Sequence, residues 1–203
     1  MIEVSLTQFI DFTLKSSGSA KAKYVRDTKN SEYSPAIDYW KQLRDAIRKT
    51  HEKNLPLKDL FGIVDRVSEK KRSNYLRAIN QYYNFAKNKH IEWFDAGESS
   101  WNFDDQLIVR SNPELSVYID GIPYLLKIYY KGKTNKVDVN KVKSSLTLMD
   151  VSQRKFVPPD GTVNALLNLS NRRLYESNGV IDNDLLLSLQ GEASHFVYLW
   201  NNV

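Results

Sequence analysis

The spacing of apolar residues changes near His90, and this change limits the possible folds more than any other feature of the chain. Before His90, apolar residues recur every three or four positions, the period of helices with one buried face. Beyond it the period is close to two, which is typical of strands, most clearly over Pro123–Lys131. The sequence therefore predicts an α+β protein, an N-terminal helical bundle followed by a small mixed β-sheet domain with flanking helices.

Two predicted domains meet at Asp95-Ala96-Gly97, a turn-like stretch suited to a linker. Residues 1–95 form the predicted helical domain, and residues 96–203 form the predicted α/β domain. Aromatic residues make up 12% of the chain and charged residues 26%, which is the composition of a packed protein rather than a disordered one.

Local motifs mark several element ends. Ser5 and Gln8 have the spacing of a capping box at a helix start. Ser34-Pro35 predicts another helix start, because serine caps helices and proline suits the first turn. Asp120-Gly121 is a hairpin signal. Gly191 is expected to divide the C-terminal helical region into two helices.

Several common kinds of active site are excluded by what the sequence lacks. With no cysteine, the chain has no disulfide, thiolate zinc site or cysteine nucleophile. Its three histidines lie far apart and make no metal-binding motif. Nucleotide-binding glycine loops and the serine hydrolase elbow are also missing. No cofactor is therefore predicted.

The chain is predicted to be cytoplasmic, with no membrane partner. Its apolar runs are only as long as strands, too short to cross a bilayer. The first residues carry Glu3 and Asp11 and lack the apolar stretch of a signal peptide.

Positive charge is concentrated in the first half of the chain. Residues 1–95 hold 18 Lys/Arg and 12 Asp/Glu, a net charge of +6, whereas residues 96–203 hold 11 and 12, a net charge of −1. An excess of this kind favours an anionic partner such as nucleic acid. The alternative is a set of mixed helix faces that are simply solvated.

Two basic clusters are the predicted nucleic-acid-binding residues. The first lies on a short predicted helix at spacings that can follow a phosphate backbone. The second lies at the start of a later helix, where backbone amides also attract phosphate. The alternative for each is a solubilising face. The residues are Lys21, Lys23, Arg26 and Lys29 in the first cluster, and Lys70, Lys71 and Arg72 in the second.

Glu114, Asp120 and Lys127 are the candidate catalytic residues. Lys127 lies inside an alternating strand, an unusual position unless that face is polar or carries chemistry. Carboxylates on one strand and a lysine on the next can hold a divalent metal and stabilise a phosphate. The alternatives for Lys127 are a solvent-facing lysine on an edge strand or the remnant of a lost site.

From Gln106 to Leu169, the order strand, hairpin, lysine-bearing strand, helix and strand resembles the core of the PD-(D/E)XK nuclease superfamily, which has the restriction-endonuclease-like fold. The resemblance implies that Glu114 or Asp120 takes the place of the first acid and Lys127 that of the catalytic lysine. Glu114 and Asp120 would then bind Mg²⁺ or Mn²⁺. Leu125 stands where the family has its second acid, so the motif is degenerate.

The leading hypothesis is a nucleic-acid-associated binding protein that is non-enzymatic or enzymatically degenerate. A metal-dependent nuclease using Glu114, Asp120 and Lys127 is the first alternative, and a protein–protein interaction module is the second. The apolar residues Phe196 and Trp200 of the last helix are expected to pack on the sheet, with a homodimer interface as the other possibility.

Overall fold

The structure is a computed structural model that describes residues 1–31, 38–130 and 139–203. In these residues, seven helices and two mixed sheets form the predicted α+β fold. The predicted helix start at Ser34-Pro35 and the last predicted strand residue, Lys131, lie outside them. The helices are α1 (Leu6–Thr13), α2 (Gly18–Asn30), α3 (Lys41–Glu52), a 3₁₀ helix (Leu57–Ile63), α4 (Glu69–Ala86), α5 (Val139–Val151) and α6 (Asn183–Asn202). The strands are β1 (Ile2–Ser5), β2 (Ile91–Trp93), β3 (Ser99–Phe103), β4 (Leu107–Arg110), β5 (Leu115–Ile119), β6 (Ile122–Tyr129), β7 (Gln153–Arg154), β8 (Val163–Asn168) and β9 (Arg173–Glu176).

The first sheet has the strand order β1-β4-β3-β7 and begins at the N-terminus of the chain. β1 runs parallel to β4, with Ile2 opposite Leu107 and Val4 opposite Val109. Ser5 ends this strand and caps α1, where the predicted capping box with Gln8 is confirmed. The first residues therefore belong to a sheet whose other strands all come after residue 95.

The second sheet has the order β2-β5-β6-β8-β9. β5 and β6 form the predicted hairpin, whose turn residues Asp120 and Gly121 both have left-handed φ angles of 52° and 89°. β6 then runs parallel to β8, and α5 connects the two strands. Because β6 is paired on both sides, the interpretation of Lys127 as an edge-strand residue is wrong.

Two main cores hold the helices on the sheets. In the first core, α3, the 3₁₀ helix and α4 pack on one face of the second sheet. Its buried residues include Leu43, Ile47, Tyr75, Ile79, Tyr82, Leu115, Val117, Leu126, Ile128 and Leu167. In the second core, α1, α2 and α6 pack with the first sheet and α5. Its buried residues include Phe9, Phe12, Val25, Trp101, Val109, Leu148 and Phe196. Each core combines residues from both sides of position 95, so a separate N-terminal bundle is not confirmed.

A third, smaller cluster lies on the other face of the second sheet. Val142 and Leu146 of α5 pack there against Leu166 of β8, with Tyr129 and Tyr175 beside them. Helices therefore cover both faces of this sheet near β6, which leaves little room for solvent around the side chains of that strand.

α6 is a single helix of 20 residues, so the predicted break at Gly191 is wrong. A glycine inside a helix costs about 1 kcal/mol relative to alanine. Burial of Leu189, Ala193 and Phe196 in the second core offsets that cost, and it confirms that this helix packs on the protein. Among the described residues, neither α6 nor any other helix combines the length and apolar character needed to cross a membrane.

Candidate functional site

The β5–β6 hairpin brings Glu114 and Lys127 together. Glu114 directly precedes β5, and Lys127 lies in β6 on the facing position of the hairpin. The Lys127 Nζ atom is 3.8 Å from the Glu114 Oε1 atom, and the two side chains are 16% and 14% exposed. Two of the three predicted catalytic residues therefore form a largely buried ion pair.

Glu114 also has a structural role at the end of β5. Its Oε2 atom accepts a hydrogen bond of 3.0 Å from the backbone N–H of Ile128. Its own N–H donates to the carbonyl of Leu126 at 2.7 Å. The Glu114 carboxylate thus takes the place of a carbonyl partner that β5 does not provide. It satisfies the backbone N–H of Ile128, which would otherwise be unpaired.

Asp120 does not join this pair. It lies at the tip of the hairpin, six residues beyond Glu114, which at a strand rise of about 3.3 Å per residue places it roughly 20 Å away. There Asp120 Oδ1 accepts a hydrogen bond of 2.9 Å from the His90 N–H. A single site containing Glu114, Asp120 and Lys127 is therefore not formed.

The residues around Lys127 do not fit the two-carboxylate metal site of the nuclease alternative. Leu125, at the position of the second acid, is a buried apolar residue. In the described parts of the chain, no group of three or more His, Asp or Glu side chains is arranged to hold a metal ion. Glu114 alone would have to supply the protein carboxylate for Mg²⁺ or Mn²⁺.

A second charged group from α3 lies close to Glu114. Arg44 Nη2 donates a hydrogen bond of 2.6 Å to Asp38 Oδ2, and both side chains are partly buried. Burial opposes the charge of Arg44, but the hydrogen bond to Asp38 and the charge of Glu114 outweigh it and raise the pKa of Arg44 above its usual value. The sequence does not reveal this neighbour of Glu114, because Arg44 comes near it only when α3 packs on the second sheet.

Tyr130, directly after β6, contributes an unsatisfied polar atom to the same region. Its hydroxyl is buried and has no hydrogen-bond partner among the described residues. Burial, with a smaller effect from the charge of Glu114, raises the pKa of Tyr130 well above its usual value. The Trp40 ring lies between Tyr75 and Tyr130, with ring centroids 5.3 Å from each. This aromatic stack holds the ring of Tyr130 in place.

Replacing Tyr130 with phenylalanine is expected to raise the free energy of unfolding by about 1 kcal/mol, because the buried hydroxyl loses its hydration without gaining a partner. Urea unfolding at neutral pH measures the change. The matched control is Tyr75→Phe, which removes a hydroxyl that donates 2.6 Å to the Tyr39 carbonyl. This control should instead lose about 1 kcal/mol. Equal destabilisation by both variants would show that the Tyr130 hydroxyl is hydrogen-bonded in solution.

Two of the four predicted binding residues on α2 connect that helix to α6. Lys21 Nζ donates to both carboxylate oxygens of Glu192 at 2.6 Å. Lys29 Nζ donates to the carbonyl oxygens of Trp200 and Val203 at 2.7 and 3.0 Å. Because these lysines are engaged within the protein, the first predicted cluster does not present four free cations.

The other two cations of this cluster, Lys23 and Arg26, are exposed. Neither forms an ion pair with a residue that the structure describes. They lie on the outer side of α2, away from Val25, which is buried in the second core. Of the four predicted cations on α2, Lys23 and Arg26 are therefore the two that can contact a ligand without breaking a contact with another described residue.

The second predicted cluster lies in the first turn of α4. Lys70 and Arg72 are exposed and have no ion-pair partner within the described ranges. Lys71 is half-buried, with its Nζ atom 5.0 Å from the centroid of the Tyr39 ring, a cation–π contact. Lys70 and Arg72 are therefore the members of this cluster that face solvent with their charge uncompensated.

The structure shows which part of the first half carries the positive charge. We define the basic helical layer as residues 38–90, which comprise α3, the 3₁₀ helix, α4 and their connections. This layer holds 13 Lys/Arg and 6 Asp/Glu, a net charge of +7, whereas residues 1–37 carry only +1 and residues 91–203 carry −3. Its exposed cations without an ion pair to a described residue are Arg48, Lys49, Lys53, Lys58, Arg66, Lys70, Arg72, Arg77, Lys87 and Lys89.

No protein-family model matches this chain, and no curated protein sequence matches it. The resemblance to PD-(D/E)XK nucleases therefore stays a prediction.

Proposed function

We propose that the protein binds nucleic acid through phosphate contacts made by the exposed cations of the basic helical layer. The observation that carries this proposal is the net charge of +7 on a layer of three helices packed on one sheet. Each lysine or arginine that contacts a phosphate releases a counterion from the polymer, which makes binding favourable and strongly dependent on salt.

The distribution of charge over the rest of the chain supports a directed contact. Residues 91–203 carry a net charge of −3, so a polyanion is attracted to the basic helical layer and repelled by this later part of the chain. The first core also fixes α3 and α4 on the second sheet. The cations therefore project from a rigid support, and less conformational entropy is lost when they meet phosphates.

The test is the double variant Lys70→Glu/Arg72→Glu. Both side chains are exposed and no ion pair to a described residue is broken, so the fold should be unaffected. Affinity for labelled duplex DNA, single-stranded DNA and RNA should fall about 10- to 100-fold at low salt, and the slope of log K against log salt should become shallower by about 2. Fluorescence anisotropy over a series of salt concentrations measures both quantities.

Two double variants with the same change in charge serve as controls. Lys23→Glu/Arg26→Glu tests the α2 cluster, and Lys143→Glu/Arg173→Glu alters exposed cations on α5 and β9. The last pair should lower affinity by much less than the α4 pair. Equal losses in all three variants would mean that only net charge matters, and absence of binding by the unaltered protein at low salt would refute the proposal.

The nuclease alternative has one favourable observation, the 3.8 Å approach of Lys127 to Glu114. Adding Mg²⁺ or Mn²⁺ to the same complexes tests it. Metal-dependent cleavage that is lost in Lys127→Ala and kept in Lys143→Ala would favour a nuclease. Binding without cleavage by either metal would favour the non-enzymatic function proposed above.

A further inference from the structure

A cleft with a volume of about 490 Å³ lies at one end of the second sheet. The C-terminal turn of α4 forms one side, and the β5–β6 turn and the start of β9 form the other. The volume is within the range of small-molecule sites, about 300–1,000 Å³. Of the three predicted catalytic residues, Asp120 lines this cleft and Glu114 and Lys127 do not, so the cleft is separate from the Glu114–Lys127 ion pair.

Two cations from different elements line the cleft. Lys89 follows α4, and its Nζ atom is 5.3 Å from the centroid of the Phe85 ring in the cleft wall. Arg172 lies in the turn before β9. Both residues are exposed and form no ion pair with any described residue. Together they can bind an anionic group from two sides.

The backbone of Arg172 is unusual for its residue type. Its φ angle is 59°, in the left-handed region that glycine and asparagine tolerate and that is unfavourable for a residue with a long side chain. Within the described ranges, four other non-glycine residues have positive φ, and all of them are Asn or Asp. The turn itself would be more stable with glycine at position 172, so the arginine is explained better by a contact of its side chain than by folding.

Two carboxylates in the cleft wall can accept hydrogen bonds from a ligand. Asp120 Oδ1 accepts from the His90 N–H at 2.9 Å, and Glu176 Oε1 accepts from the Tyr124 hydroxyl at 2.6 Å. Burial and the hydrogen bond to Glu176 raise the pKa of Tyr124 to about 12, so this hydroxyl stays protonated and remains a donor. The second oxygen of each carboxylate forms no hydrogen bond with another described residue.

Apolar groups complete the lining. Phe85, Leu174 and Ile122 contribute to the cleft, and Ile122 is 48% exposed although it is a large apolar residue at the start of a strand. These surfaces can bury a flat apolar body, which would remove them from water on binding.

A ligand that matches all three groups combines an anion, a flat apolar body and hydrogen-bond donors. A free amino acid carries the charges but fills only a small part of the volume. We propose that the cleft binds a nucleoside monophosphate: its phosphate contacts Arg172 and Lys89, its base packs on the apolar wall, and its hydroxyl and amino groups donate to Asp120 and Glu176.

This inference does not depend on the proposed function. Lys70 and Arg72 lie in the first turn of α4, whereas the cleft residues Asn84 and Phe85 lie in its last turn, about 20 Å away along the helix. The variant Lys70→Glu/Arg72→Glu should therefore bind mononucleotides normally. Each proposal can fail while the other holds.

The test is titration of the whole chain with AMP and UMP by isothermal calorimetry, with adenosine and inorganic phosphate as partial ligands. The mononucleotides should bind more tightly than either partial ligand. Arg172→Gly should weaken mononucleotide binding about tenfold or more, because a charge-assisted hydrogen bond is lost. The same variant should unfold at a temperature about 2–4 °C higher, because glycine relieves the left-handed backbone.

Arg173→Ala is the matched control, because it removes the same charge from the adjacent residue, whose side chain does not line the cleft. It should leave mononucleotide affinity unchanged, whereas Lys89→Ala should weaken it. Three results would overturn the inference: neither AMP nor UMP binds, Arg172→Gly retains full affinity, or phenylalanine binds more tightly than both nucleotides.

Discussion

Replacing Phe196 with alanine is expected to lower the free energy of unfolding by about 3–5 kcal/mol. Phe196 of α6 is fully buried in the second core. Its ring meets Phe12 of α1 edge to face at 4.9 Å between centroids, and Phe9 at 6.3 Å. The substitution removes these contacts and leaves a cavity that the surrounding residues can fill only in part.

Urea unfolding followed by circular dichroism measures this loss. The control is Leu187→Ala on the same helix, where the side chain is 67% exposed and the change should be within about 0.5 kcal/mol. Because the second core still combines residues from both sides of position 95, the variant should unfold in one transition that includes both halves of the chain. If both variants behaved alike, the packing of α6 on α1 would be wrong.

The protein is also expected to lose about 2–3 kcal/mol of stability through His51 as the pH falls from about 6.5 to about 4. The His51 Nε2 atom is 2.6 Å from the Tyr82 hydroxyl. Burial lowers the pKa of His51 from its ordinary 6.5 to about 4. The unfolded chain therefore takes up a proton at higher pH than the folded chain. The stabilisation is complete above about 6.5 and is lost as the pH falls toward 4.

His51→Gln isolates this effect, because glutamine occupies the position without titrating in this range. Carboxylates titrate below pH 5 in both proteins, so the difference between the two curves of unfolding free energy against pH reports His51 alone. The curves should converge as the pH falls, since the wild-type protein loses the additional stability. Parallel curves from pH 7 to pH 4 would show that His51 is not buried in solution.

Local interactions made some of the fold predictable. The capping box needs only Ser5 and Gln8, which are neighbours on one helical turn. The β5–β6 hairpin needs only a turn whose residues accept left-handed backbone angles, as Asp120 and Gly121 do. Interactions of this range depend on a few consecutive residues, so they can be inferred from the sequence.

The same turn also makes part of the candidate site predictable from the sequence. A two-residue turn at Asp120-Gly121 sets the register of the hairpin and places Glu114 opposite Lys127. The same register puts Asp120 at the tip, far from both. Counting residues outward from the turn therefore shows, from the sequence alone, that Glu114 and Lys127 face each other and that Asp120 cannot join them in one metal site. The influence of Arg44 could not be inferred in this way, because its charge comes near Glu114 only when α3 packs on the second sheet.

The sequence by itself determined the helix at Ser5, the hairpin at Asp120 and the excess of positive charge, since each depends on residue types at short spacing. Only the tertiary structure decided that β1 pairs with β4 and that α6 continues through Gly191. It also decided which cations are engaged, as Lys21 is with Glu192, 171 residues along the chain. The physical reason is that burial and pairing across long separations outweigh local preferences of about 1 kcal/mol, and these contacts exist only once the chain is packed.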